Sequence, residues 1–183
     1  GVYVDVGAHH PKRYSNTQLF FERGWHGVNI DPNPHTIRLF NRARRKDENI
    51  CAGVASKSST LSYFMFSDPA VNTFSAAEAN VWMQKKWLTF LGKKDVELRR
   101  LDVILKATKI SQVDLLTIDV EGLDLEVLES FDWDRYTPRV VIAESGEFDP
   151  IHPETDPIYS FMLNKEYAFE ARAGKSLIFS KSC

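Results

Sequence analysis

The chain has 183 residues, of which 43% are hydrophobic and 26% are charged, as expected for a globular protein with a single core. Its formal net charge of −2 excludes a strong global attraction for nucleic acid, and its apolar runs are too short to cross a bilayer. Two cysteines are too few for a disulfide scaffold and favour a cytosolic location, and we expect Cys51 to be a small buried hydrophobe.

Short apolar runs alternate with helical patterns along the chain, which predicts a Rossmann-like α/β fold with a mostly parallel sheet and helices on both faces. The predicted strands cover, in chain order, residues 2–6, 27–31, 49–54, 60–66, 96–101, 114–119, 139–143, 167–172 and 177–180. The predicted helices cover residues 15–24, 34–46, 76–90, 102–108, 123–131 and 158–163. Gly174 separates the last two strands, so we expect the sheet to close with an antiparallel hairpin.

Residue types at the element ends support this outline. Asn16 and Thr17 are suited to begin a helix, Pro34 suits a first helical turn, and Asp102 suits an N-cap. Because a strand opens the chain directly, we expect a single domain over residues 1–183 whose N-terminus is trimmed.

The helix predicted at residues 76–90 is unusually aromatic, since it carries Trp82, Trp87 and Phe90. Its simplest role is core packing. It is also a candidate cover for an acceptor site, because tryptophan faces suit sugar rings, and Asn72 lies just before it.

Carboxylates stand where four of the predicted strands end. They are Asp5, Asp31, Asp119 with Glu121, and Glu144. In an open parallel sheet, ligands bind beyond the carboxyl ends of the strands, and a core strand has no structural need to end in a carboxylate. Turn capping is the competing explanation for Asp5 and Asp31. The pattern therefore predicts a ligand site at this edge of the sheet.

The turn after the first strand argues against a nicotinamide cofactor. A dinucleotide site needs glycines in the spacing G-x-G-x-x-G, whereas here Gly7 is followed by Ala8 and two histidines. Asp5 would repel a pyrophosphate, but a carboxylate favours the sulfonium and ammonium groups of S-adenosylmethionine. Asp31 has the spacing expected of a carboxylate that binds both ribose hydroxyls.

Four segments together resemble the FkbM family of methyltransferases. They are residues 3–9, 15–17, 24–31 and 114–122, and the last contains the most specific motif, Ile-Asp-Val-Glu-Gly. The resemblance implies a class I methyltransferase fold, S-adenosylmethionine as cofactor, and O-methylation of a hydroxyl on a sugar or glycosylated small molecule. Because family members differ in substrate, the resemblance predicts the type of reaction more specifically than it predicts the acceptor.

The resemblance also implies cofactor-binding residues. They are Asp5, Gly7, Ala8, Asn16, Thr17, Asp31, Gly53, Val54, Ala55 and Asp119. The first three would line the methionine end, Asp31 would hold the ribose, and residues 53–55 would face the adenine. Asn16 and Thr17 would receive the cofactor carboxylate at a helix N-terminus, and simple helix capping is an equal alternative for both.

Asp119 and Glu121 flank the expected path of the methyl group. A hydroxyl is a poor nucleophile until its proton is removed or its oxygen is bound to a metal. Glu121 or His9 is the candidate base, and Asp119 would position the acceptor or the cofactor ammonium. The alternative for Glu121 is stabilisation of the following helix N-terminus.

The candidate acceptor contacts are His10, Asn72, Trp82 and Glu144. Asp119, Glu121 and Glu144 also form a weak candidate site for a divalent ion, and their hard oxygen ligands suggest magnesium. The expected partner is a small-molecule or glycan acceptor, and the sequence does not specify an oligomeric state.

One basic cluster, formed by Arg38, Arg42, Arg44, Arg45 and Lys46, is most simply a solvated helix face. If functional, it would attract an anionic glycan, a phosphorylated carrier or RNA. Two alternatives to a saccharide methyltransferase stay open: methylation of RNA or protein, and a non-catalytic module that binds the cofactor without turnover.

Overall fold

The computed structural model describes residues 1–181, so Cys183 lies outside the described part of the chain. The strands are β1 (Val2–Val6), β2 (His26–Asp31), β3 (Glu48–Cys51), β4 (Gly53–Val54), β5 (Ser59–Phe66), β6 (Phe90–Arg99), β7 (Leu115–Ile118), β8 (Val140–Glu144), β9 (Ala168–Ala173) and β10 (Ser176–Ser180). The α-helices are α1 (Gln18–Glu22), α2 (Pro34–Ala43), α3 (Ala76–Met83), α4 (Leu101–Lys106), α5 (Asp124–Ser130) and α6 (Pro157–Asn164).

Seven strands form the central sheet in the order β3-β2-β1-β7-β8-β10-β9. The first five of these run parallel, while β10 is antiparallel to both β8 and β9. The predicted mostly parallel sheet and its C-terminal hairpin are therefore confirmed, and the topology is compatible with a Rossmann-like fold. The chain leaves β1 toward β3 and returns to β7 on the other side of β1, so the topological switch point lies between β1 and β7.

Strand β1 is buried along its whole length. Alternate side chains of a strand point to opposite faces of the sheet. Val4 and Val6 belong to the main core together with Leu105 of α4 and Leu128 of α5. Tyr3, which points to the other face, contacts Arg44 just after α2. The central strand is therefore packed on both faces, which fixes its position.

A second sheet, with three strands in the order β4-β6-β5, was not predicted. The single strand expected at residues 49–54 is in fact two strands. Residues up to Cys51 pair with β2, whereas Gly53 and Val54 pair with Leu98 and Arg99 of β6. A Cβ atom on Gly53 would lie 2.3 Å from Cδ2 of Leu98, so glycine allows the close approach of β4 to β6 within the second sheet.

The aromatic segment also differs from its prediction. Helix α3 ends at Met83, and Phe90 begins the ten-residue strand β6, which pairs with β5. Trp82 packs against the small core of Phe66, Ala79 and Leu88, whereas Trp87 is 65% exposed. Core packing is therefore correct for Trp82 and wrong for Trp87.

Three polar positions differ from the sequence-based expectations. Arg38 and Arg42 are exposed as predicted, but Arg44 lies beyond the end of α2 and is fully buried. Cys51 is exposed rather than buried. Asp102 lies in the first turn of α4, whose N-cap is Arg100. None of the helices in residues 1–181 combines the length and apolar character required to cross a bilayer.

We predict that Gly27→Ala strongly destabilises the fold. Gly27 pairs with Tyr3 in the ladder between β1 and β2, and an added Cβ would lie 1.9 Å from the Tyr3 carbonyl oxygen. Overpacking against backbone of a central strand should lower the free energy of unfolding by more than about 2 kcal/mol. Urea denaturation measures this loss. Gly146→Ala is the control, because nothing lies within 4 Å of its added Cβ, and an equal loss in both variants would contradict the prediction.

Candidate active site

A cavity of about 280 Å³ lies at the carboxyl edge of the parallel strands, beside the switch point between β1 and β7. Its walls come from the ends of the strands, from the loop after β1, and from the second sheet. The lining residues are Asp5, Val6, Gly7, Ala8, His9, Tyr14, Asn16, Ile30, Asp31, Pro32, Ala52, Gly53, Val54, Tyr63, Pro69, Ala70, Asn72, Phe74, Asp119, Val120 and Glu121.

Most of the predicted site residues meet in this cavity. The predicted residues outside its lining are Thr17, Ala55, His10, Glu144 and Trp82. Thr17 and Ala55 are buried directly behind the wall, and Glu144 adjoins it beside Asp119. Trp82 packs in the small core near α3, away from the lining. The structure therefore brings together the cofactor candidates more completely than the acceptor candidates.

The turn at Gly7 lets the β1 and β7 ends approach each other. Gly7 has a φ of 81°, and a Cβ atom there would lie only 1.8 Å from the Asp119 carbonyl oxygen. The backbone N–H groups of Gly7 and Ala8 both donate to the Ile30 carbonyl, at 2.9 and 3.1 Å. The loops after β1, β2 and β7 are therefore held together by a turn that favours glycine.

Asp5 lies at the bottom of the cavity and is 4% exposed. The Thr17 hydroxyl donates to its Oδ2 atom at 2.6 Å. Burial raises the pKa of Asp5 to about 6, while the Thr17 hydrogen bond and the charge of Arg44 oppose this rise. Thr17 is the N-cap residue of α1, but its side chain makes no capping hydrogen bond, so its hydroxyl serves Asp5 instead.

Asp31 combines a turn role with unused acceptor capacity. Its Oδ1 accepts from the Asn33 N–H at 2.7 Å, and its Oδ2 accepts from the His9 N–H at 3.0 Å. Burial raises the pKa of Asp31 to about 6, and both backbone bonds lower it. Because a carboxylate offers about four lone-pair sites, two acceptor positions remain for hydroxyl groups in the cavity.

Three carboxylates gather at the end of β7. Oxygen atoms of Asp119, Glu121 and Glu144 all lie within 4.8 Å of one another. Burial, followed by the neighbouring Glu144, raises the pKa of Asp119 and raises that of Glu121 to about 7. The Lys175 ammonium lies 3.2 Å from Glu144 Oε1 and partly balances this negative charge. Asp119 and Glu121 therefore hold their protons more readily than free carboxyl groups do.

Glu121 is held in an uncommon backbone conformation. Its φ is 53°, and the next residue, Gly122, has a φ of 101°. The Glu121 carbonyl oxygen lies 3.4 Å from the Thr73 hydroxyl, which donates to Glu78 at 2.8 Å. Left-handed backbone at a non-glycine residue is often found at functional sites. The segment before α3, which is bridged to Phe64 of β5, thus contacts the loop that carries the proposed catalytic carboxylate.

The two histidines after Gly7 point to different surroundings. His9 lines the cavity, and partial burial lowers its pKa, so its imidazole is neutral at neutral pH. His10 accepts the Lys12 and Arg13 N–H groups at Nδ1, at 3.1 and 2.9 Å, which fixes the local turn. Of the two, His9 is therefore the one that can meet a ligand.

Tyr14 is a cavity residue that the sequence analysis missed. It is 76% exposed, has a φ of 56°, and its ring stacks on His9 with centroids 6.4 Å apart. No period or motif identified it, because it belongs to an irregular loop. Tyr63 of the opposite wall was missed because the second sheet was not predicted, whereas Phe74, expected in the same wall as Asn72, does line the cavity.

We predict that Glu121→Gln raises Tm more at pH 8 than at pH 5. The folded pKa of Glu121 is about 7, whereas an unfolded glutamate has a pKa of about 4.3. The folded state holds this proton more tightly, so stability is lost as the pH rises from about 4 to about 7. Removing the ionisable group should raise Tm at pH 8 by several degrees, since 1 kcal/mol corresponds to about 2–4 °C in a chain of this size.

Differential scanning calorimetry at the two pH values checks this prediction. Glu97→Gln, at an exposed position of β6, is the matched control and should show no such pH dependence. Equal changes in Tm at pH 5 and pH 8 for Glu121→Gln would contradict the assigned ionisation.

Comparison with known proteins identifies the family. The chain matches the family described as Methyltransferase FkbM domain over residues 5–170. A stretch of 75 residues is 35% identical to "Methyltransferase sdnD" of Sordaria araneosa, and the match covers 36% of this chain and 29% of that protein. The chain thus spans less than a third of that relative's length. No solved structure matches the chain significantly.

The family match includes every carboxylate described above, from Asp5 to Glu144. The cavity is therefore built from residues within the shared domain. The chain belongs to the FkbM methyltransferase family, whose domain it carries over residues 5–170.

Proposed function

We propose that the enzyme transfers a methyl group from S-adenosylmethionine to a hydroxyl of a saccharide or glycosylated small molecule. The observation that carries this proposal is the convergence of Asp5, Asp31 and Asp119 on one cavity at the switch point of the sheet. Such a site suits a cationic, phosphate-free cofactor better than a dinucleotide. The strand order, with its final antiparallel hairpin, supports assignment to the class I methyltransferase variant of the Rossmann-like fold.

In this proposal, the ends of different strands bind different parts of the cofactor. Asp31 accepts from the ribose hydroxyls with its two unused lone-pair positions, and Gly53 with Val54 forms the wall for the adenine. Asp5 provides negative charge at the methionine end, where Gly7 and Ala8 leave room for backbone contact. When bound, the cofactor supplies an electrophilic methyl group on its sulfonium.

The chain's own residues prepare the acceptor. Glu121 lines the cavity, and its pKa of about 7 suits a base that accepts the acceptor proton near neutral pH. Asp119 positions the acceptor hydroxyl or the cofactor ammonium. His9, which is neutral and also lines the cavity, is the alternative base. Positioning in a site of low water content supplies the rest of the rate enhancement.

The acceptor wall favours a polar ring. Tyr14 presents an exposed aromatic face at the cavity, and Asn72 lines the opposite wall. Aromatic faces and amide groups are suited to sugar rings and their hydroxyls. RNA is disfavoured because the basic cluster is interrupted by the burial of Arg44 and does not line the cavity. The low cysteine count also leads us to propose a cytosolic location for the enzyme.

Magnesium stays a secondary candidate at Asp119, Glu121 and Glu144. Their oxygen spacing would allow a hard divalent ion to bridge them, although Lys175 already pairs with Glu144. The ion would polarise the acceptor oxygen there. Methyl transfer that stops in EDTA and returns with magnesium would support this role.

We predict that Asp31→Asn weakens binding of S-adenosylmethionine and S-adenosylhomocysteine by about tenfold to a hundredfold. The substitution removes charge-assisted hydrogen bonds, which are each worth about 1.5–3 kcal/mol. Isothermal titration calorimetry at pH 7.5 measures both affinities. Asp134→Asn, at an exposed position, should bind like the wild type. Unchanged affinity in Asp31→Asn would remove Asp31 from the cofactor site.

We predict that Glu121→Gln lowers kcat about a hundredfold while cofactor affinity is retained, because general-base catalysis contributes at least this factor. The assay follows tritiated methyl groups from S-adenosylmethionine into a panel of hydroxylated saccharides. Wild-type activity should rise as the pH increases through about 7, since Glu121 must lose its proton, and this rise should vanish in the variant.

Three outcomes of this assay have different meanings. A retained pH profile in Glu121→Gln, with loss of the profile in His9→Ala, would assign the base to His9. Transfer to RNA or protein but not to saccharides would overturn the acceptor assignment. Cofactor binding without transfer to any of these classes would favour a non-catalytic module.

A further inference from the structure

Arg44 is a buried cation whose direct partners are all neutral. It is 0% exposed, and its guanidinium donates to oxygen atoms of six residues. These are Tyr3, Pro11, Ser15, Thr17, Gln18 and Asn29, at distances from 2.5 to 3.4 Å. Within the described residues, no carboxylate forms an ion pair with it. A buried charge without a direct counter-ion is costly, so this arrangement calls for a role beyond packing.

Four of the six partners lie in the stretch from Pro11 to Gln18 that leads into α1. This stretch carries Tyr14 and Asn16, which line the cavity. It has little regular structure, and its Tyr14 has a φ of 56°. A planar guanidinium with five donors can fix several acceptors at once. The hydrogen bonds of Arg44 therefore fix the conformation of this loop, as backbone hydrogen bonds fix that of a helix or a strand.

A relay connects Arg44 to Asp5. The Arg44 Nη1 atom donates to the Thr17 hydroxyl at 2.7 Å, and Thr17 donates to Asp5 Oδ2 at 2.6 Å. Because arginine can only donate, the Thr17 oxygen must accept from it and direct its own hydrogen to Asp5. The relay therefore fixes both the direction of the Thr17 hydroxyl and the carboxylate it serves.

The guanidinium is held rigidly by aromatic rings. Its central carbon lies 5.1 Å from the ring centres of Phe21 and Phe40 and 5.8 Å from that of Tyr3. Such cation–π contacts favour a desolvated guanidinium. The Tyr3 hydroxyl in turn donates to Asp47, which is a second indirect route to a negative charge. Arg44 is therefore fixed in place before any ligand binds.

The charged groups that act on Asp5 come from several elements. Arg44 lowers the pKa of Asp5, whereas Asp47 and the burial of the group raise it. Asp31, at the end of β2, interacts with Asp5 across the cavity floor, and this repulsion raises the pKa of Asp31. Among these groups, only Arg44 favours the charged form of Asp5.

We propose that Arg44 is a positioning residue of the cofactor site, which orders the loop from Pro11 to Gln18 and, through Thr17, presents Asp5 as a carboxylate. This inference rests on the function proposed above, in which Asp5 faces the cationic end of the cofactor. It assigns a specific task to a residue that touches neither the cavity nor the reacting atoms.

The test compares four variants with the wild type: Arg44→Met, Arg44→Lys, Thr17→Val and the control Arg45→Met. Arg45 is the next residue along the chain and is exposed. Thr17→Val removes the relay and leaves Arg44 in place, and Arg44→Lys keeps the charge but loses the planar fork. Calorimetric unfolding first selects a temperature at which each variant is folded.

The first readout is the titration of Asp5 in the cofactor-free protein, followed by NMR of its carboxyl carbon. We expect the midpoint to rise by about one pH unit in Arg44→Met and to rise also in Thr17→Val. It should stay near the wild-type value in Arg44→Lys and in Arg45→Met. A role limited to fold stability would leave this midpoint unchanged in every folded variant.

The second readout is the affinity for S-adenosylhomocysteine between pH 6 and pH 8.5. We expect at least an approximately tenfold loss in Arg44→Met, with the pH dependence displaced upward, and a pH-independent loss in Arg44→Lys. A wild-type Asp5 titration in folded Arg44→Met and Thr17→Val, or a wild-type affinity in folded Arg44→Met and Arg44→Lys, would overturn the inference. If the wild type binds no cofactor, the proposed function fails, and the Asp5 titration still decides whether Arg44 controls that carboxylate.

Discussion

Desolvation of carboxylates at one edge of the parallel sheet governs the rest of this structure. Burial is the largest cause of the raised pKa values of Asp5, Asp31, Asp119 and Glu121. Each is compensated to a different degree. Asp31 accepts two backbone N–H groups, and Asp5 has Thr17 with Arg44 behind it. At Asp119 and Glu121 the neighbouring carboxylates add to the effect of burial. Compensation of the buried charge thus decreases from the proposed cofactor side of the cavity to the proposed acceptor side.

Left-handed backbone conformations occur around the same cavity. His9, Tyr14 and Glu121 are cavity residues with positive φ, although none is a glycine. Such conformations persist only where surrounding structure enforces them. The Arg44 bonds enforce the loop that carries Tyr14, and the Gly7 approach to Asp119 fixes the loops on either side of the switch point. The site therefore combines buried charges with strained backbone conformations, and both are unfavourable in free energy. Strand β1, which is buried and packed on both faces, supplies the rigidity that both require.

Local sequence patterns predicted the central sheet because its inner strands are short apolar runs that pair with a strand on each side. The carboxyl ends of those strands then located Asp5, Asp31, Asp119 and Glu121 without any knowledge of contacts. The second sheet was not predicted, since β4 has only two residues and the strand expected at residues 96–101 covers only the last part of β6, which pairs with both β4 and β5. The burial of Arg44 was not predicted, because Arg44 continues the basic pattern of α2 in the sequence. In the structure α2 ends at Ala43, and the Arg44 side chain points inward and donates to residues 15 to 41 positions away in the sequence.

The two parts of the cavity that differ in predictability also differ in the chemical task that we propose for them. The central sheet places the carboxylates of Asp5, Asp31 and Asp119 at the cavity, and their placement follows from strand topology. Tyr14, Tyr63, Asn72 and Phe74 come from an irregular loop and from the second sheet with its flanking segment, where pairing between distant residues decides which side chain reaches the cavity. The Thr73 hydroxyl nevertheless lies against the Glu121 carbonyl, so the acceptor wall and the proposed base share one contact. A substitution at Thr73 would therefore alter a direct contact of the backbone that carries the proposed base.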